Sequence, residues 1–184
     1  MRERRRQLCV FCGSKAGAKE IYADATRRFG EIMARRGLAL VYGGGHIGLM
    51  GILADAVLAE GGEAIGVIPK SMMDAELAHT SLTQLHIVDT MHQRKAMMAD
   101  QADGFVALPG GFGTMDELFE VLTWAQLRYH SKPVGLLNVT GFFDPLLAWL
   151  DRAVEDGFLK PKHRGLLIEA KEPGQLFDRL WSPS

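Results

Sequence analysis

The sequence has neither an excess of charge nor a long apolar run. Its 21 lysine and arginine residues balance 22 aspartate and glutamate residues, which gives a formal net charge of −1. Such a balance provides no general attraction to nucleic acids or to membrane surfaces. No apolar stretch is long enough to span a bilayer, and no signal-peptide core follows the arginines near the N-terminus. We therefore expect a cytoplasmic protein that binds neither nucleic acids nor membranes.

Cysteine is also scarce. Cys9 and Cys12 are the only two, and their C-x-x-C spacing invites a redox or zinc interpretation. They lie within an apolar segment that predicts a strand, in which residues three apart point to opposite faces. A redox pair normally lies at a helix start, and a zinc site needs further ligands. We interpret both as buried structural thiols and expect no metal site.

Short apolar runs alternate with helical patterns along the chain. The predicted strands are residues 8–12, 38–42, 64–68, 85–88, 104–108, 134–137 and a short segment near 166–168. The predicted helices cover residues 22–36, 48–60, 90–101, 118–127, 143–155 and 173–180, whereas 70–83 is expected to form a loop or short helix. This alternation indicates a Rossmann-like, doubly wound α/β fold with a parallel sheet. We expect one domain over residues 1–184, with a flexible arm at residues 1–7.

A glycine turn at residues 109–113 is the centre of the predicted site. It joins the strand at 104–108 to the helix at 118–127, so backbone N–H groups converge at the positive end of a helix dipole. This geometry favours phosphate binding. Thr114 is placed to cap the helix, and Thr114-x-x-Glu117 matches a capping box. Glu117 is therefore either part of a cap or a carboxylate that faces a bound sugar phosphate.

A second glycine pattern, Gly43-x-Gly45-x-x-Gly48, matches the dinucleotide-binding fingerprint. The next strand ends at Pro69 without the acidic residue that would bind ribose hydroxyls. We interpret this loop, with Gly44 and Gly45, as backbone that packs closely against a nucleotide or sugar phosphate. Ser14, after the first strand, either donates to a phosphate or caps the following turn.

Arg94 falls on the apolar side of its predicted helix, the side of Met91, Met98 and Ala102. A guanidinium that points inward must be paired. A salt bridge to a nearby acid such as Glu117 or Asp116, or a side chain that reaches out to solvent, would explain it structurally. The alternative is a site in which Arg94 and Glu117 face one anion.

Two histidines, His46 and His92, lie near the same loops. Neither has a second ligand at metal spacing in the sequence. We interpret both as polar lining.

Three motifs resemble those of the LONELY GUY (LOG) family. They are Pro109-Gly110-Gly111-Phe112-Gly113-Thr114-x-x-Glu117, Met91-His92-Gln93-Arg94-Lys95 and Tyr42-Gly43-Gly44-Gly45-x-x-Gly48-Leu49-Met50-Gly51. The similarity covers nearly the whole chain. This sequence departs from the family pattern at Asp116, where glutamate is common, and at Lys15, where a second serine is usual.

The resemblance implies a cytokinin riboside 5′-monophosphate phosphoribohydrolase that is usually dimeric and needs no cofactor. Such enzymes cleave the N-glycosidic bond of N6-substituted AMP to release the free base and ribose 5-phosphate, and several bacterial relatives also hydrolyse AMP. Arg94 and Glu117 are the implied catalytic residues. The implied nucleotide contacts are Glu76, Arg94, Lys95, Gly110, Gly111, Phe112, Gly113, Thr114, Met115, Asp116 and Thr123.

Two other functions are associated with similar sequences. Relatives with this glycine turn carry molybdenum cofactor, and a carrier would need the anion site but not both Arg94 and Glu117. An older label, lysine decarboxylase, would require a lysine bound to pyridoxal phosphate, for which Lys95 is the one weak candidate.

The helix that follows Thr114 is apolar nearly all round in its second half. One face can pack on the sheet, and the rest must be covered by something else. We expect a homodimer through this helix, with Arg94 or residues near it reaching toward the partner.

Overall fold

The computed structural model describes residues 5–181, and their seven strands form one parallel sheet. The strands are β1 (Gln7–Phe11), β2 (Ala39–Tyr42), β3 (Ala64–Pro69), β4 (Gln84–Val88), β5 (Gly104–Ala107), β6 (Val134–Leu137) and β7 (Leu167–Ala170). Their spatial order is β4-β3-β2-β1-β5-β6-β7, and every neighbouring pair is parallel. The predicted doubly wound, Rossmann-like α/β fold is confirmed.

Helices cover both faces of the sheet. They are α1 (Glu20–Arg35), α2 (Gly48–Ala59), α3 (Met91–Gln101), α4 (Phe112–Gln126), α5 (Asp144–Glu155), α6 (Pro161–Arg164) and α7 (Pro173–Leu180). The short helix α6 was not predicted. Between β3 and β4 the chain forms one 3₁₀ turn, at Lys70–Met72, and then turns without regular structure.

The sheet separates two hydrophobic cores. One contains Cys12 with residues of α1, α2 and α7, and the other contains Cys9 with residues of α3, α4 and α5. The two thiols therefore face opposite sides of β1, as the spacing predicts, and both are free and buried. Burial raises the pKa of each thiol well above its usual range. This placement agrees with the interpretation of Cys9 and Cys12 as buried structural thiols.

The prediction of a flexible arm over residues 1–7 is wrong for residues 5–7. Gln7 is the first residue of β1, and the Arg5 guanidinium lies 3.6 Å from the Glu63 carboxylate. The Arg6 guanidinium lies 5.0 Å from the centre of the Trp181 ring. Residues 1–4 and 182–184 lie outside the described range. Within residues 5–181, no helix is long and apolar enough to cross a membrane.

The strand order reverses between β1 and β5. The chain builds β2, β3 and β4 outward on one side of β1, then returns to place β5, β6 and β7 on the other side. The loops after β1 and β5 diverge at this point, and Gly13 N–H donates to Pro109 O across it at 3.1 Å. Open α/β sheets bind ligands at such a switch point, beyond the carboxyl ends of the strands.

Candidate active site

Helix α4 begins at the switch point with unused backbone donors. Its N-cap is Gly111, which has no side chain to cap the helix, and the first helical bond runs from Met115 N–H to Gly111 O at 3.1 Å. The N–H groups of Phe112, Gly113 and Thr114 therefore have no acceptor inside the helix. They lie at the positive end of a helix of 15 residues, which is a favourable place for an anion.

The predicted cap at Thr114 is wrong. Thr114 is the third residue of α4, and its Oγ1 is buried without a hydrogen-bond partner in the described chain. Thr114-x-x-Glu117 is therefore not a capping box. A Cβ on Gly110 would collide with this hydroxyl, so glycine at that position gives the hydroxyl its space. A buried hydroxyl without a partner is costly, and a bound ligand would supply the missing bond.

Two adjoining cavities open beside this helix start. The first, here called the polar cavity, has a volume of about 160 Å³ and includes Glu76, Arg94, Thr114 and Glu117 in its lining. The second, the aromatic cavity, has a volume of about 350 Å³ and is lined in part by Tyr22, Leu49 and Phe142. Gly13, Ser14 and Gly111 line both, so the two cavities lie side by side.

Arg94 is buried in the wall of the polar cavity, with 5% of its surface exposed. Its Nη2 donates to Glu76 Oε2 at 2.8 Å and to Gly43 O at 2.7 Å, and its Nε donates to Val67 O at 3.0 Å. The predicted salt bridge to a nearby acid is present, but Glu117 and Asp116 are the wrong partners, and the predicted reach to solvent is wrong. The counter-ion is Glu76, which is 8% exposed.

The start of α3 fixes Arg94 in this position. Thr90 Oγ1 accepts from Gln93 N–H at 3.1 Å, and Gln93 Oε1 accepts from Thr90 N–H at 3.2 Å. These two bonds form a capping box directly before Arg94. Met98 and Ala102 are buried as predicted, but Met91 is 40% exposed because it lies at the first position of the helix.

Glu117 lies on the second turn of α4 and faces the polar cavity. Its carboxylate is half-buried and forms no hydrogen bond or ion pair with any residue of the described range. Burial raises the pKa of Glu117 to about 7; the nearby Arg94 charge opposes this shift, and the Glu76 charge adds to it. The site thus holds a carboxyl group that exchanges a proton near neutral pH, as general acids and bases do.

Lys95 and Asp116 lie outside the polar cavity and pair with each other. Lys95 Nζ is 3.1 Å from Asp116 Oδ2 and 3.2 Å from Glu120 Oε1. Burial alone would lower the pKa of the Lys95 ammonium, but these two hydrogen bonds outweigh burial and raise it. Both residues remain predicted nucleotide contacts, and a ligand would have to approach this ion pair.

The other predicted contacts fall into three groups. Ser14, Gly111, Phe112 and Gly113 line the polar cavity, and a Cβ on Gly111 or Gly113 would meet open space. Gly44 has a φ of +75°, and a Cβ on Gly45 would lie 3.2 Å from Glu76 O, so these two shape the loop that contacts Glu76. Met115 and Thr123 lie on an open groove along α4, here called the α4 groove, with Phe112, Asp116, Phe119, Glu120 and Trp124.

Sequence reasoning missed the backbone acceptors of Arg94. A Cβ on Gly43 would collide with Arg94 Nη2, so glycine at this position makes room for the guanidinium. At Gly43, the first position of the pattern at residues 43–48, glycine is therefore explained by a contact within the protein. Val67 O lies at the carboxyl end of β3, where only the fold brings it beside α3.

Comparison with known proteins gives consistent relatives over almost the full chain. A probable cytokinin riboside 5′-monophosphate phosphoribohydrolase of Oryza sativa subsp. japonica, LOGL2, is 49% identical over 180 residues, which cover 98% of this chain and 74% of that protein. The cytokinin riboside 5′-monophosphate phosphoribohydrolase LOG1 of Arabidopsis thaliana is 49% identical over 175 residues, covering 95% and 82%.

Among solved structures, the molybdenum cofactor binding protein of Rippkaea orientalis matches with a TM-score of 0.73, covering 96% of each chain at 20% identity. Identity this low establishes a common fold only.

A family model described as "Possible lysine decarboxylase" matches residues 50–180. A lysine that forms a Schiff base must lose its proton, whereas Lys95 is held charged between two carboxylates. The description is thus not supported by the one candidate lysine. The relatives that share about half of all residues carry a different name, and this chain belongs to their family, the LONELY GUY (LOG) family of cytokinin riboside 5′-monophosphate phosphoribohydrolases.

Proposed function

We propose that this protein hydrolyses the N-glycosidic bond of adenosine 5′-monophosphate and its N6-substituted relatives, releasing the free base and ribose 5-phosphate. The observation that carries the proposal is the half-buried carboxyl of Glu117, which has no partner and lies in one cavity with Arg94 and an uncapped helix start. The curated relatives are named for this reaction, which supports the assignment.

The phosphate group would bind at the start of α4. The N–H groups of Phe112, Gly113 and Thr114 and the hydroxyl of Thr114 all lack acceptors or partners there. Ser14 lines the same cavity and supplies a further hydroxyl. Hydrogen bonds from backbone N–H groups to a charged oxygen are strong, and binding at this remote group positions the sugar for reaction.

The carboxylate of Glu117 would act at the anomeric carbon. Rupture of the bond between the ribose C1′ and the purine nitrogen leaves positive charge on the sugar, as in glycoside hydrolysis. An ionised Glu117 stabilises that charge and accepts a proton from the water that attacks C1′. The bond electrons leave with the purine nitrogen, and protonation of the base completes the reaction.

Arg94 has one nitrogen left for a ligand. Its Nε and Nη2 are satisfied by Val67, Gly43 and Glu76, whereas Nη1 has only a 3.5 Å contact with Glu76 Oε1 and longer contacts to sulfur. Nη1 is therefore the atom that we assign to substrate contact. Glu76 holds the guanidinium in place, which supports its predicted position in the site.

We expect nucleoside monophosphates to be far better substrates than nucleosides. Two hydrogen bonds to a charged phosphate contribute about 1.5 to 3 kcal/mol each, so kcat/KM for AMP should exceed that for adenosine by ~100-fold or more. Free base released from AMP, isopentenyladenosine monophosphate and adenosine can be measured by chromatography. Equal turnover of AMP and adenosine would contradict the phosphate site.

The carrier function has no specific support in the chain. The similarity to molybdenum cofactor binding proteins is at the level of fold. A carrier would not need a carboxyl poised near neutral pH beside a buried arginine. The two free thiols fit a reducing compartment, which supports the cytoplasmic location that we propose.

We also propose a homodimer in which a second copy covers the α4 groove. This groove is open, and four of its seven lining residues are apolar. Trp149 of α5 packs edge-on against Phe119 beside it while remaining 58% exposed. Phe112, at the end of the groove, is 98% exposed. Arg94 is buried, so of the two predicted contributions across the interface we propose the one from residues near it, on the groove.

We expect the assembly to have twice the chain mass of 20.3 kDa by light scattering at micromolar concentration. Trp149→Lys places a charge in the proposed interface and should shift the population to monomer. Ile87→Lys makes the same change on the exposed face of the edge strand β4 and should leave the mass unaltered. A monomeric wild-type protein would refute the dimer.

A further inference from the structure

The segment that carries Glu76 has little regular structure of its own. Residues 73–83 turn between β3 and β4, and Leu77, next to Glu76, has a φ of +46°, which is unusual for a leucine. A buried salt bridge needs a well-defined geometry, because a misplaced carboxylate would leave Arg94 uncompensated. Something other than a helix or strand must hold this segment.

Backbone contacts join the segment to the glycine loop after β2. His46 N–H donates to Leu77 O at 2.8 Å and to Glu76 O at 3.1 Å, and His79 N–H donates to Gly44 O at 2.9 Å. These bonds fix the segment to a loop that is itself irregular. They do not tie it to a helix, and its bonds to the sheet, between Thr83 and Ala64 of β3, lie at the far end of the segment from Glu76.

The side chain of His79 connects the segment to helix α2. It is 3% exposed, and its Nε2 lies 2.8 Å from Asp55 Oδ1 on helix α2. Ser81 N–H donates to His79 Nδ1 at 3.2 Å, so Nδ1 carries no hydrogen and Nε2 is the nitrogen that donates to Asp55. The ring of His46 packs edge-on against the ring of His79, with centroids 4.5 Å apart.

We propose that the His79–Asp55 pair is a positioning element for the active site: it fixes the segment of Glu76 to α2, and Glu76 in turn sets the position of Arg94. The inference rests on the proposed function, because its catalytic consequence is the orientation of Arg94 Nη1 toward substrate. Neither His79 nor Asp55 lines the polar cavity, so both act through Glu76.

The same cluster has the composition of a metal site. Ligand atoms of His46, Asp55 and His79 lie within 4.8 Å of one another, although the sequence spacing of His46 gives no sign of this. A metal would need the lone pair of His79 Nε2, but the bond from Ser81 N–H to Nδ1 keeps the ring proton on Nε2. The hydrogen-bonded arrangement is therefore the one that this geometry supports.

A double-mutant cycle on kcat/KM for AMP tests the coupling. Asp55→Ala removes the acceptor of His79, and the resulting displacement of Glu76 should lower kcat/KM by about 10-fold to about 100-fold, the range that a shift of up to 1 Å in a positioning group produces. Asp55→Asn keeps an acceptor oxygen and should retain activity near that of the wild type. In a Glu76→Gln background, Asp55→Ala should have little further effect, because the group through which it acts is already lost. Independent, multiplicative losses would overturn the inference.

Hydrogen exchange of the backbone amides gives a readout that does not depend on activity. Without substrate, Asp55→Ala should accelerate exchange of the amides in residues 73–83, and Asp55→Asn should not. Asp156→Ala is a matched control that removes an exposed carboxylate paired with Arg152. A wild-type protein without nucleotide hydrolysis would refute the proposed function, while unchanged exchange in Asp55→Ala would refute the positioning role. Thermal stabilisation by zinc that requires His79 would also refute the hydrogen-bonded assignment.

Discussion

We expect Glu117→Gln to lower kcat for AMP hydrolysis by about 100-fold or more, since glutamine can neither accept a proton nor place negative charge beside the sugar. The substitution keeps the shape of the side chain, and Glu117 forms no hydrogen bond or ion pair with residues 5–181 that would be broken. Glu155→Gln makes the same change at an exposed position on α5 and should leave kcat unaltered. Near-wild-type turnover by Glu117→Gln would end the catalytic assignment.

The pH dependence should identify the same residue. Because the pKa of Glu117 is about 7, the reactive carboxylate forms only as the pH rises through that value. We expect kcat/KM of the wild type to increase with pH through an apparent pKa near 7, measured from initial rates between pH 5 and 8. The Glu117→Gln enzyme should have no such limb in its residual activity.

Stability should respond to pH in the opposite direction. The pKa of Glu117 rises from 4.5 to about 7 on folding, so folding favours its protonated form. The stability that this carboxyl adds is fully present below about pH 4.5 and is lost as the pH rises through about 7. Glutamine avoids this loss. The difference in Tm, Glu117→Gln minus wild type, should therefore be more positive at pH 8 than at pH 5.

Arg94→Ala should cause the largest loss of stability. It leaves the carboxylate of Glu76 buried without a counter-ion, and breaking a buried pair in this way costs about 3 to 5 kcal/mol of unfolding free energy. The carbonyl groups of Gly43 and Val67 lose their donor as well. Urea denaturation measures the difference, and activity should fall together with stability.

The double variant Glu76→Ala/Arg94→Ala separates charge burial from packing. Removing both partners leaves no uncompensated charge, so the double variant should be more stable than Arg94→Ala alone. Arg94→Lys keeps the charge but lacks the planar fork that reaches three acceptors, and it should retain part of the stability with little activity. If Arg94→Ala unfolds within 1 kcal/mol of the wild type, the pair does not hold this wall of the cavity.

The fold was predictable because its signals are local. Runs such as residues 104–108 are apolar without interruption, and a strand buried on both faces requires this. Helix α7 was predicted with the observed bounds because Pro173 marks its first residue. The glycine turn after β5 indicated an anion site for the same reason: it lies between a strand and a helix that the sequence identifies directly.

The helix caps show where local patterns become ambiguous. Thr90-x-x-Gln93 and Thr114-x-x-Glu117 both match a capping box, and only the first forms one. At α4 the chain enters the helix earlier, with Gly111 as N-cap, so Thr114 lies inside the first turn and its hydroxyl faces Gly110. Spacing alone cannot distinguish a cap from the third helical residue, because that distinction depends on the path of the preceding loop.

The partner of Arg94 could not be derived from spacing either. Glu76 lies in a segment without periodicity. Its position depends on hydrogen bonds to His46, in a loop about 30 residues earlier in the sequence, and no local pattern spans that distance. The resemblance to the family implies that Glu76 is a nucleotide contact, and this stays a prediction. The structure shows a further role, because its carboxylate neutralises and orients a buried guanidinium.

Cys9 lies on the central strand of the sheet, which is paired on both sides, and none of its surface is exposed. The thiolate is the form that attacks an alkylating reagent, and burial suppresses it here, so the thiol is protected for as long as β1 stays between β2 and β5. The rate at which iodoacetamide modifies Cys9 therefore measures how often the centre of the molecule opens. Alkylation of Cys9 in the native protein thus reports global unfolding without an added label.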